Sequence, residues 1–486
     1  MSQSTGREYG HFINGEFVHR GIRKYTLMNP ADKEQVIGIF WEADRDLGIE
    51  AVQAAYRAFG SWSKVPAPQR AEIILKFASL IERDSEELAF ILSAEQGKPL
   101  SESLGEVRRA AKEARFAAGE AQRIEGKVIP SERMDVDVQV INQPIGVVAA
   151  IAPWNFPVVT PVRKIAPALA YGCTVVYKPA SLTPWSSTKL MSLLNEAGVP
   201  NGAVNQVIGF GKEIGPALVH HPLVHGVSFT GSSQQGIEIQ QQAARKLIPT
   251  QLELGGKNPA IVLDTRDAAS VARQIVNAAF ACSGQRCTAI SRVIVHRRYA
   301  EELTDAILNE VKNIRVGPAW DPSATMGPLI SEEHLNAVLG YVNQGIEEGA
   351  TLLFGGERIT HGDYARGHYM LPTLFVDVKG DMRIAREEIF GPVLSILTVD
   401  DVEEALATAN DVSYGLAAAV FTDHLSTARL AAEQLQAGMI HINHGTLSEP
   451  HVPFGGIKQS GYGPYSIGYT NQQFYMQTKV IYMQYN

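Results

Sequence analysis

The sequence predicts an α/β protein of two or three domains, built on doubly wound parallel sheets with a small separate β element. Three observations carry this. At 486 residues the chain exceeds what one hydrophobic core supports. From Gly146 onward, short β-rich runs alternate with helix-length segments, which is the pattern of a parallel sheet with crossover helices. Two long β-rich segments, Met134 to Asn142 and Phe474 to Asn486, stand outside that alternation.

Taken in order, Met1 to about Tyr25 is predicted as short strands and turns, with an Asn-Gly turn in HFINGEFV. Amphipathic helices follow over Asp44 to Gly60, Pro68 to Gln96 and Ser101 to Glu125. In the second, Ile73, Leu75, Phe77, Leu80 and Ile81 recur near helical spacing. Met134 to Asn142 (MDVDVQVIN) then alternates, with Val136, Val138 and Val140 on one face. Next come the runs VVAAIA, CTVVYK, VNQVIG, GVSFTG and PTQLEL. A second series follows with NPAIVL, SRVIVH, ATLLFGG, VLSILTV and MIHIN. Phe474 to Asn486 closes the chain as a lone β-rich tail. A long strand of this kind, like the one at Met134, leaves an open edge that pairing across a subunit interface would cover.

Composition narrows the classes of function. Hydrophobic residues make up 45% and charged residues 19%, a globular balance. The net charge of −8, with no run rich in Lys or Arg, argues against a nucleic-acid or anionic-membrane partner. The start of the chain lacks a basic stretch followed by an apolar one, so no signal peptide is expected. The apolar stretch Gly146 to Val159 is broken by Pro153, Trp154, Asn155 and Pro157, and is too short to span a bilayer. Three cysteines, Cys173, Cys282 and Cys287, make no disulfide framework, so a reducing cytoplasm is the expected compartment.

Several segments carry residues suited to chemistry. In Cys282-Ser-Gly-Gln-Arg-Cys287-Thr, Cys287 sits among small and polar residues, with Arg286 beside it to favour a thiolate. A packed cysteine next to a chance Arg is the alternative. Glu253, opening Glu-Leu-Gly-Gly-Lys-Asn-Pro259, stands at a strand's carboxyl end. There it is either a general base or a surface acid. Asn155, held between aromatic residues and prolines in Ala150-Ile-Ala-Pro-Trp-Asn-Phe-Pro157, offers an NH2 to an oxyanion, or else belongs to a structural turn. Two glycine-rich loops compete for a phosphate. Gly209 to Gly215 nearly matches G-x-G-x-x-G, with its third Gly one residue late. Phe229 to Gly236 joins a strand to a helix and presents backbone N–H groups at the helix start, which favours it for a pyrophosphate.

Together, and in this order, these segments resemble the aldehyde dehydrogenase superfamily. The residues carrying the resemblance are P-W-N-F-P (Pro153 to Pro157), K-P-A (Lys178 to Ala180), F-T-G-S (Phe229 to Ser232) and E-L-G-G-K (Glu253 to Lys257). They continue with G-Q-R-C (Gly284 to Cys287), E-E-I-F-G-P-V (Glu387 to Val393) and P-F-G-G-I-K-Q-S-G (Pro453 to Gly461). The resemblance implies oxidation of an aldehyde to a carboxylic acid with NADP or NAD, NADP being at least accepted. It implies Cys287 as nucleophile, Asn155 and the Cys287 N–H as oxyanion hole, and Glu253 as the base that activates water. It places Lys178 at the adenosine ribose, Gly231 and Ser232 at the pyrophosphate, and Glu388 at the nicotinamide ribose. Ile151, Trp154, Ser181 and Phe390 lie around the same cofactor, and Phe156, Arg163 and Arg286 near the substrate. The implied fold has a doubly wound cofactor domain (1–121 and 144–254), an α/β catalytic domain (255–456) and a small β oligomerisation flap (122–143 and 457–486). The implied assembly is a homodimer or homotetramer.

Departures from the family pattern sharpen this. Ser181 takes the position where NAD-preferring relatives have Glu; without that carboxylate a 2′-phosphate meets no repulsion, so NADP is expected to serve at least as well as NAD. Arg163, six residues beyond Pro157, matches relatives acting on acidic semialdehydes or lactaldehyde, and a buried Arg needs an anionic or strongly polar partner. The substrate is therefore expected to carry an anion, as in succinic or 2-oxoglutaric semialdehyde, unless Arg163 pairs with a protein acid. A broad-specificity enzyme for neutral small or aromatic aldehydes such as lactaldehyde is the alternative. A CoA-acylating relative would lack Glu253, and a catalytically silent one would lack part of the set Cys287, Glu253 and Asn155. Cys282, where many relatives have Asn, is expected to be a small packed side chain, with a reversible disulfide to Cys287 under oxidation as the alternative. Gly463 to Gly468 departs from the common G-R-E-x-G and leaves the details of assembly open. His441, His444 and His451 lack the carboxylates or cysteines that would make a metal site, and none is expected.

Overall fold

The computed structural model describes residues 6–265 and 267–485. Residues 1–5 of the predicted N-terminal segment and residue 486 of the tail lie outside the described residues. Two large sheets dominate. The first has eight strands among the described residues, in the order Gly461–Tyr462, Thr250–Glu253, Gly226–Thr230, Val147–Ile151, Thr174–Lys178, Val204–Gln206, His11–Ile13 and Glu16–Val18. The five strands from Thr250–Glu253 to Val204–Gln206 run parallel.

In the parallel part of that sheet the chain starts at Val147–Ile151, steps outward twice to one side, then returns to Gly226–Thr230 on the other side. Connections leaving these two adjacent strands diverge, and a crevice opens at their carboxyl ends. Both faces of the sheet are covered. Val147 and Ala149 pack with Leu47, Ala51 and Val52 of the helix Arg45–Trp62, while Val148 and Ala150 pack with Val162 and Ile165 on the opposite face. Burial on both sides is why these strands are apolar throughout instead of alternating. The Asn14-Gly15 turn expected from the sequence closes the hairpin at the sheet edge, with φ of 53° and 87°.

The second sheet has seven strands among the described residues, in the order Thr351–Phe354, Thr373–Val376, Val393–Val399, Ile290–His296, Asn258–Val262, Ala417–Phe421 and Met439–Ile442. Only the first, at the edge, runs antiparallel to its neighbour.

Two expectations need correction. The predicted helix over Pro68 to Gln96 is two helices, Ala67–Arg83 and Ser85–Gln96, broken at Asp84 (φ −96°, ψ 22°). The Asp84 carboxylate takes ion pairs from Arg83 and Lys189, which hold it at the junction. The C-terminal tail is not a lone strand either. Its first residues form a short helix, Asn471–Tyr475, because Phe474 and Tyr475 reach into the core beside the first sheet and are fully buried there. The strand Met476–Gln484 then pairs antiparallel with Val136–Pro144 along its whole length, from Met476 opposite Pro144 to Gln484 opposite Val136. Lys127–Ile129 completes this third sheet on the other side. The two segments that stood apart in the sequence therefore cover one edge of each other. Among the described residues, no helix is long and apolar enough to cross a membrane.

Phe474→Ala removes a fully buried ring that anchors the tail. It is expected to cost about 3–5 kcal/mol, measured as a lower urea midpoint for loss of the native near-ultraviolet signal. An unchanged midpoint would show that the tail docks through the strand pairing alone.

Candidate active site

A cavity of about 910 Å³ is lined by residues at the carboxyl ends of the first sheet's strands and by residues that precede strands of the second, such as Cys287 and Thr288 before Ile290–His296 and Glu388 and Phe390 before Val393–Val399. Cys287 is half-buried in its lining, on the loop after the helix Ala268–Phe280. That loop is bent hard. Cys282 (φ 55°), Ser283 (φ 57°) and Gly284 (φ 69°) are left-handed in succession, at a cost of about 1–2 kcal/mol for each non-glycine residue. A Cβ at Gly284 would lie 2.2 Å from the Gly391 carbonyl oxygen, so glycine is required there. The bend is held by the Gln285 side chain, whose Oε1 accepts from the Ile330 N–H (3.0 Å) and whose Nε2 donates to the Cys282 carbonyl (3.1 Å). Asn258 Nδ2 donates to the Cys287 carbonyl (2.7 Å) and Thr446 Oγ1 to the Thr288 carbonyl (2.6 Å), tying down the far end.

Asn155 comes from the other sheet, on the turn after Val147–Ile151. Its Nδ2 donates to the Gln285 carbonyl at 2.9 Å, so the amide joins the two loops. An amide NH2 has two hydrogens, and the second remains for a ligand. Trp154 stands edge-on to Phe390, with ring centres 5.4 Å apart. Phe390 is itself left-handed (φ 58°), and its carbonyl accepts from His334 Nε2 at 2.8 Å.

Burial dominates the electrostatics. It pushes the Cys287 thiol up to about 12, and the Glu388 carboxylate adds to the shift; Arg163 opposes it more than Arg286 does. The expectation that Arg286 favours a thiolate is thus outweighed, and its Nη2 donates instead to Thr288 Oγ1 (3.3 Å). Glu388, also pushed up by burial to about 7, accepts from the Gly256 N–H at 2.9 Å. A Cβ at Gly255 would lie 2.1 Å from Glu388 Oε2, so the double glycine is what lets this carboxylate approach. Glu253 is buried and does not line the cavity. Its Oε1 accepts from the Ser466 N–H (3.2 Å), and its Oε2 has no partner among the described residues. Burial raises its proton affinity, while Lys164 and Arg163 lower it.

The other expected residues fall into three groups. Thr230, Gly231 and Ser232 line the cavity, and Ser232 caps the helix Ser233–Ala244, whereas the competing Gly209 loop does not line it. Ile151 lies in register with Lys178 on the neighbouring strand. Lys178 donates to the Pro179 carbonyl (2.9 Å), the Ser181 carbonyl accepts from Tyr25 Oη (3.0 Å), and neither residue lines the cavity. Arg163 lines it but is held by Glu113 through two hydrogen bonds, Nε to Oε2 (3.0 Å) and Nη2 to Oε1 (2.9 Å). Its guanidinium also lies 4.9 Å from the Phe454 ring centre. Glu113 further accepts from Arg109 Nε (2.7 Å), so two cavity-lining cations share one carboxylate. Cys282 is a packed side chain with Gln96 Nε2 at 3.4 Å. The His441 and His444 rings meet edge-on at 4.8 Å.

Sequence reading missed Lys98, Glu106, Arg109, Glu113 and Ser466. Lys98 sits between Gly97 and Pro99, a charge fixed between two helix breakers, which was a usable signal. Arg109 and Glu113 are spaced i,i+4 and so pass for a solvated helix surface.

Comparison with known proteins agrees with this geometry. The family model described as the aldehyde dehydrogenase family matches residues 17–481. The alpha-ketoglutaric semialdehyde dehydrogenase of Bacillus subtilis is 39% identical over 477 residues, covering 98% of each chain. Among solved structures, betaine aldehyde dehydrogenase from Staphylococcus aureus in complex with NAD+ superimposes with a TM-score of 0.95 at 34% identity, covering 98% of this chain and 94% of that one. An NADP dependent enzyme of E. coli gives 0.95 at 34%, covering 99% and 98%. The chain belongs to the aldehyde dehydrogenase family. Its reaction class is the NAD(P)-dependent oxidation of an aldehyde.

With its thiol held protonated by burial, Cys287 in the cofactor-free enzyme is expected to alkylate slowly at pH 7 and progressively faster up to pH 10, since only the thiolate reacts. Glu388→Gln removes the carboxylate that raises the thiol most, and is expected to speed iodoacetamide labelling at pH 8 at least about threefold, where one pKa unit is worth tenfold in thiolate. Equal rates in the two proteins would remove Glu388 from the electrostatics of Cys287.

Proposed function

We propose that the protein oxidises an aldehyde bearing an anionic tail, of the semialdehyde class, through a thioester on Cys287, with NADP or NAD as acceptor. The observation that carries the reaction is the convergence of Cys287, Asn155 and Glu388 on one cavity, with the Glu253 carboxylate, one oxygen of which has no partner among the described residues, close enough to perturb the Cys287 thiol. The cofactor site fits a dinucleotide. The Ser232-capped helix start suits a pyrophosphate, Glu388 beside the double glycine suits the nicotinamide ribose hydroxyls, and Trp154 and Phe390 wall that end. Lys178 and Ser181 are assigned to the adenosine ribose and its 2′-substituent, and Ile151 to the strand end beneath them. When bound, NAD(P) supplies the hydride acceptor.

The residues of the chain do the rest. Deprotonated Cys287 adds its sulfur to the carbonyl carbon, because an aldehyde carbon donates hydride only after a nucleophile has added. The resulting alkoxide is met by the second hydrogen of Asn155 Nδ2 and by the Cys287 N–H. Loss of hydride leaves a thioester. Glu253 turns from Ser466 toward the sulfur and takes a proton from water; the hydroxide forms the new C–O bond as the C–S bond breaks, releasing the acid and the Cys287 thiolate, with the proton left on Glu253 to pass to solvent. Phe156 and Arg286 shape the substrate end.

Arg109 and Arg163 share a single Glu113, and the net positive charge of that cluster beside the cavity supports an anionic substrate. A neutral aldehyde such as lactaldehyde is the second reading, favoured by the existing pairing of Arg163 with Glu113. The same proposal divides the chain into a cofactor domain (1–121, 144–254), a catalytic domain (255–456) and a flap (122–143, 457–486). The flap's exposed Val128, Val480 and Tyr482 would be covered by a second copy, in a dimer or tetramer. Three free cysteines suit a reducing cytoplasm.

The test is NADP and NAD reduction with succinic semialdehyde, 2-oxoglutaric semialdehyde, lactaldehyde and propanal, with Cys287→Ala as blank. The acidic aldehydes are expected to turn over fastest. Arg163→Ala is expected to raise their KM at least about tenfold, the worth of one charged hydrogen bond, with propanal unaffected. Faster turnover of neutral aldehydes, or an unchanged KM in Arg163→Ala, would favour the second reading. NADP is expected to match NAD in kcat/KM; an NAD advantage above about tenfold, or roughly 1.4 kcal/mol, would contradict the role given to Ser181.

A further inference from the structure

The link between the helices Ser85–Gln96 and Leu100–Ala121 holds a fully buried ion pair that the chemistry above does not use. Lys98 Nζ donates to Glu106 Oε2 at 2.8 Å, and each side chain is 1% exposed. The other Glu106 oxygen, Oε1, accepts from the Val158 N–H (2.8 Å) and the Val159 N–H (3.1 Å), the first backbone donors after the Asn155 turn. Lys98 Nζ also donates to the backbone carbonyl of Asn155 itself (2.7 Å) and lies 4.1 Å from the centre of the Phe156 ring. On the far side, Gln96 and Glu102 reach the cysteine loop. Gln96 Nε2 lies 3.4 Å from Cys282 Sγ, and Glu102 Oε2 accepts from the Cys282 N–H at 2.8 Å.

Such a pair is expensive to bury, and apolar side chains of similar volume would commonly stabilise the fold as well or better. Here both charges spend their remaining hydrogen bonds on the backbone from Asn155 to Val159. Burial opposes the charge on Lys98, but Cys282, Glu106 and Glu102 around it outweigh that and keep it protonated. We propose that Lys98 and Glu106 are positioning residues for the reaction, fixing the Asn155 turn so that its amide meets the alkoxide on Cys287. This rests on Asn155 being an oxyanion donor. A donor displaced by a fraction of an ångström from a developing charge loses much of its effect, so the pair acts on the chemical step and not on cofactor binding.

The test is a double-mutant cycle with Lys98→Met, Asn155→Ala and the double variant, using whichever aldehyde the wild-type enzyme turns over. Lys98→Met is expected to lower kcat at least about thirtyfold with KM for NADP within about twofold of wild type. In the Asn155→Ala background the same change is expected to lower kcat no more than about twofold, because the group being positioned is gone. Iodoacetamide labelling of Cys287 is expected to stay at the wild-type rate. An equal kcat loss in both backgrounds would overturn the proposal and leave the pair structural. If Asn155→Ala alone leaves kcat unchanged, the oxyanion role of Asn155 fails, which is a separate result. Should Lys98→Met fail to fold, Glu106→Gln takes its place in the same cycle: it keeps the shape and removes the charge, and the same two outcomes decide.

Discussion

One hydrogen bond, from Asn155 Nδ2 to the Gln285 carbonyl at 2.9 Å, joins a loop of the first sheet to a loop of the second, and the geometry of the site depends on it. Asn155 follows the central strand of one parallel sheet, and Gln285 and Cys287 precede the strand Ile290–His296 at the amino end of the other. Neither sheet alone makes a site. The bond sets one hydrogen of the amide and leaves the other for a ligand in the cavity that Cys287 also lines. The left-handed run Cys282-Ser283-Gly284 and the Gln285 side chain exist to present that carbonyl where Asn155 can reach it.

The second constraint is low dielectric. Cys287 and Glu388 sit around a cavity that raises the proton affinity of both, and Glu253 is buried close by with the same effect. A thiol held near 12 is inert toward stray electrophiles, and it needs a change in its surroundings before it reacts. Among charged groups Glu388 contributes most to that shift, and it is also the group proposed to hold the nicotinamide ribose. Engagement of that carboxylate by hydroxyl donors would relieve the repulsion on the sulfur. Glu253, held by the Ser466 N–H, keeps one oxygen unpaired at a cost that a purely structural carboxylate would not bear.

Much of this was legible in the residues. The strand–helix alternation is a direct consequence of sheets buried on both faces, so Val147–Ile151 and Gly226–Thr230 could be placed, and the loops after them as well. Gly231 and Ser232, favoured over the Gly209 loop on the geometry of a helix start, line the cavity, and the Gly209 loop does not. The break at Asp84 was not legible, because apolar periodicity runs through it and the cause is an ion pair with Lys189, remote in sequence. The partner of Arg163 was not legible for the same reason: Glu113 lies fifty residues earlier on another helix, and nothing local marks it as buried. The tail's pairing with Val136–Pro144 needed the fold to bring the two segments together.

The central claim, that Cys287 carries an acyl group which Glu253 releases, is tested most directly by intact-protein and peptide mass spectrometry of Glu253→Gln after mixing with succinic semialdehyde and NADP. The expected result is a succinyl adduct on the peptide containing Cys287, formed with about one equivalent of reduced cofactor and persisting for minutes. Reduced cofactor formed at full rate with Cys287 unmodified would contradict it.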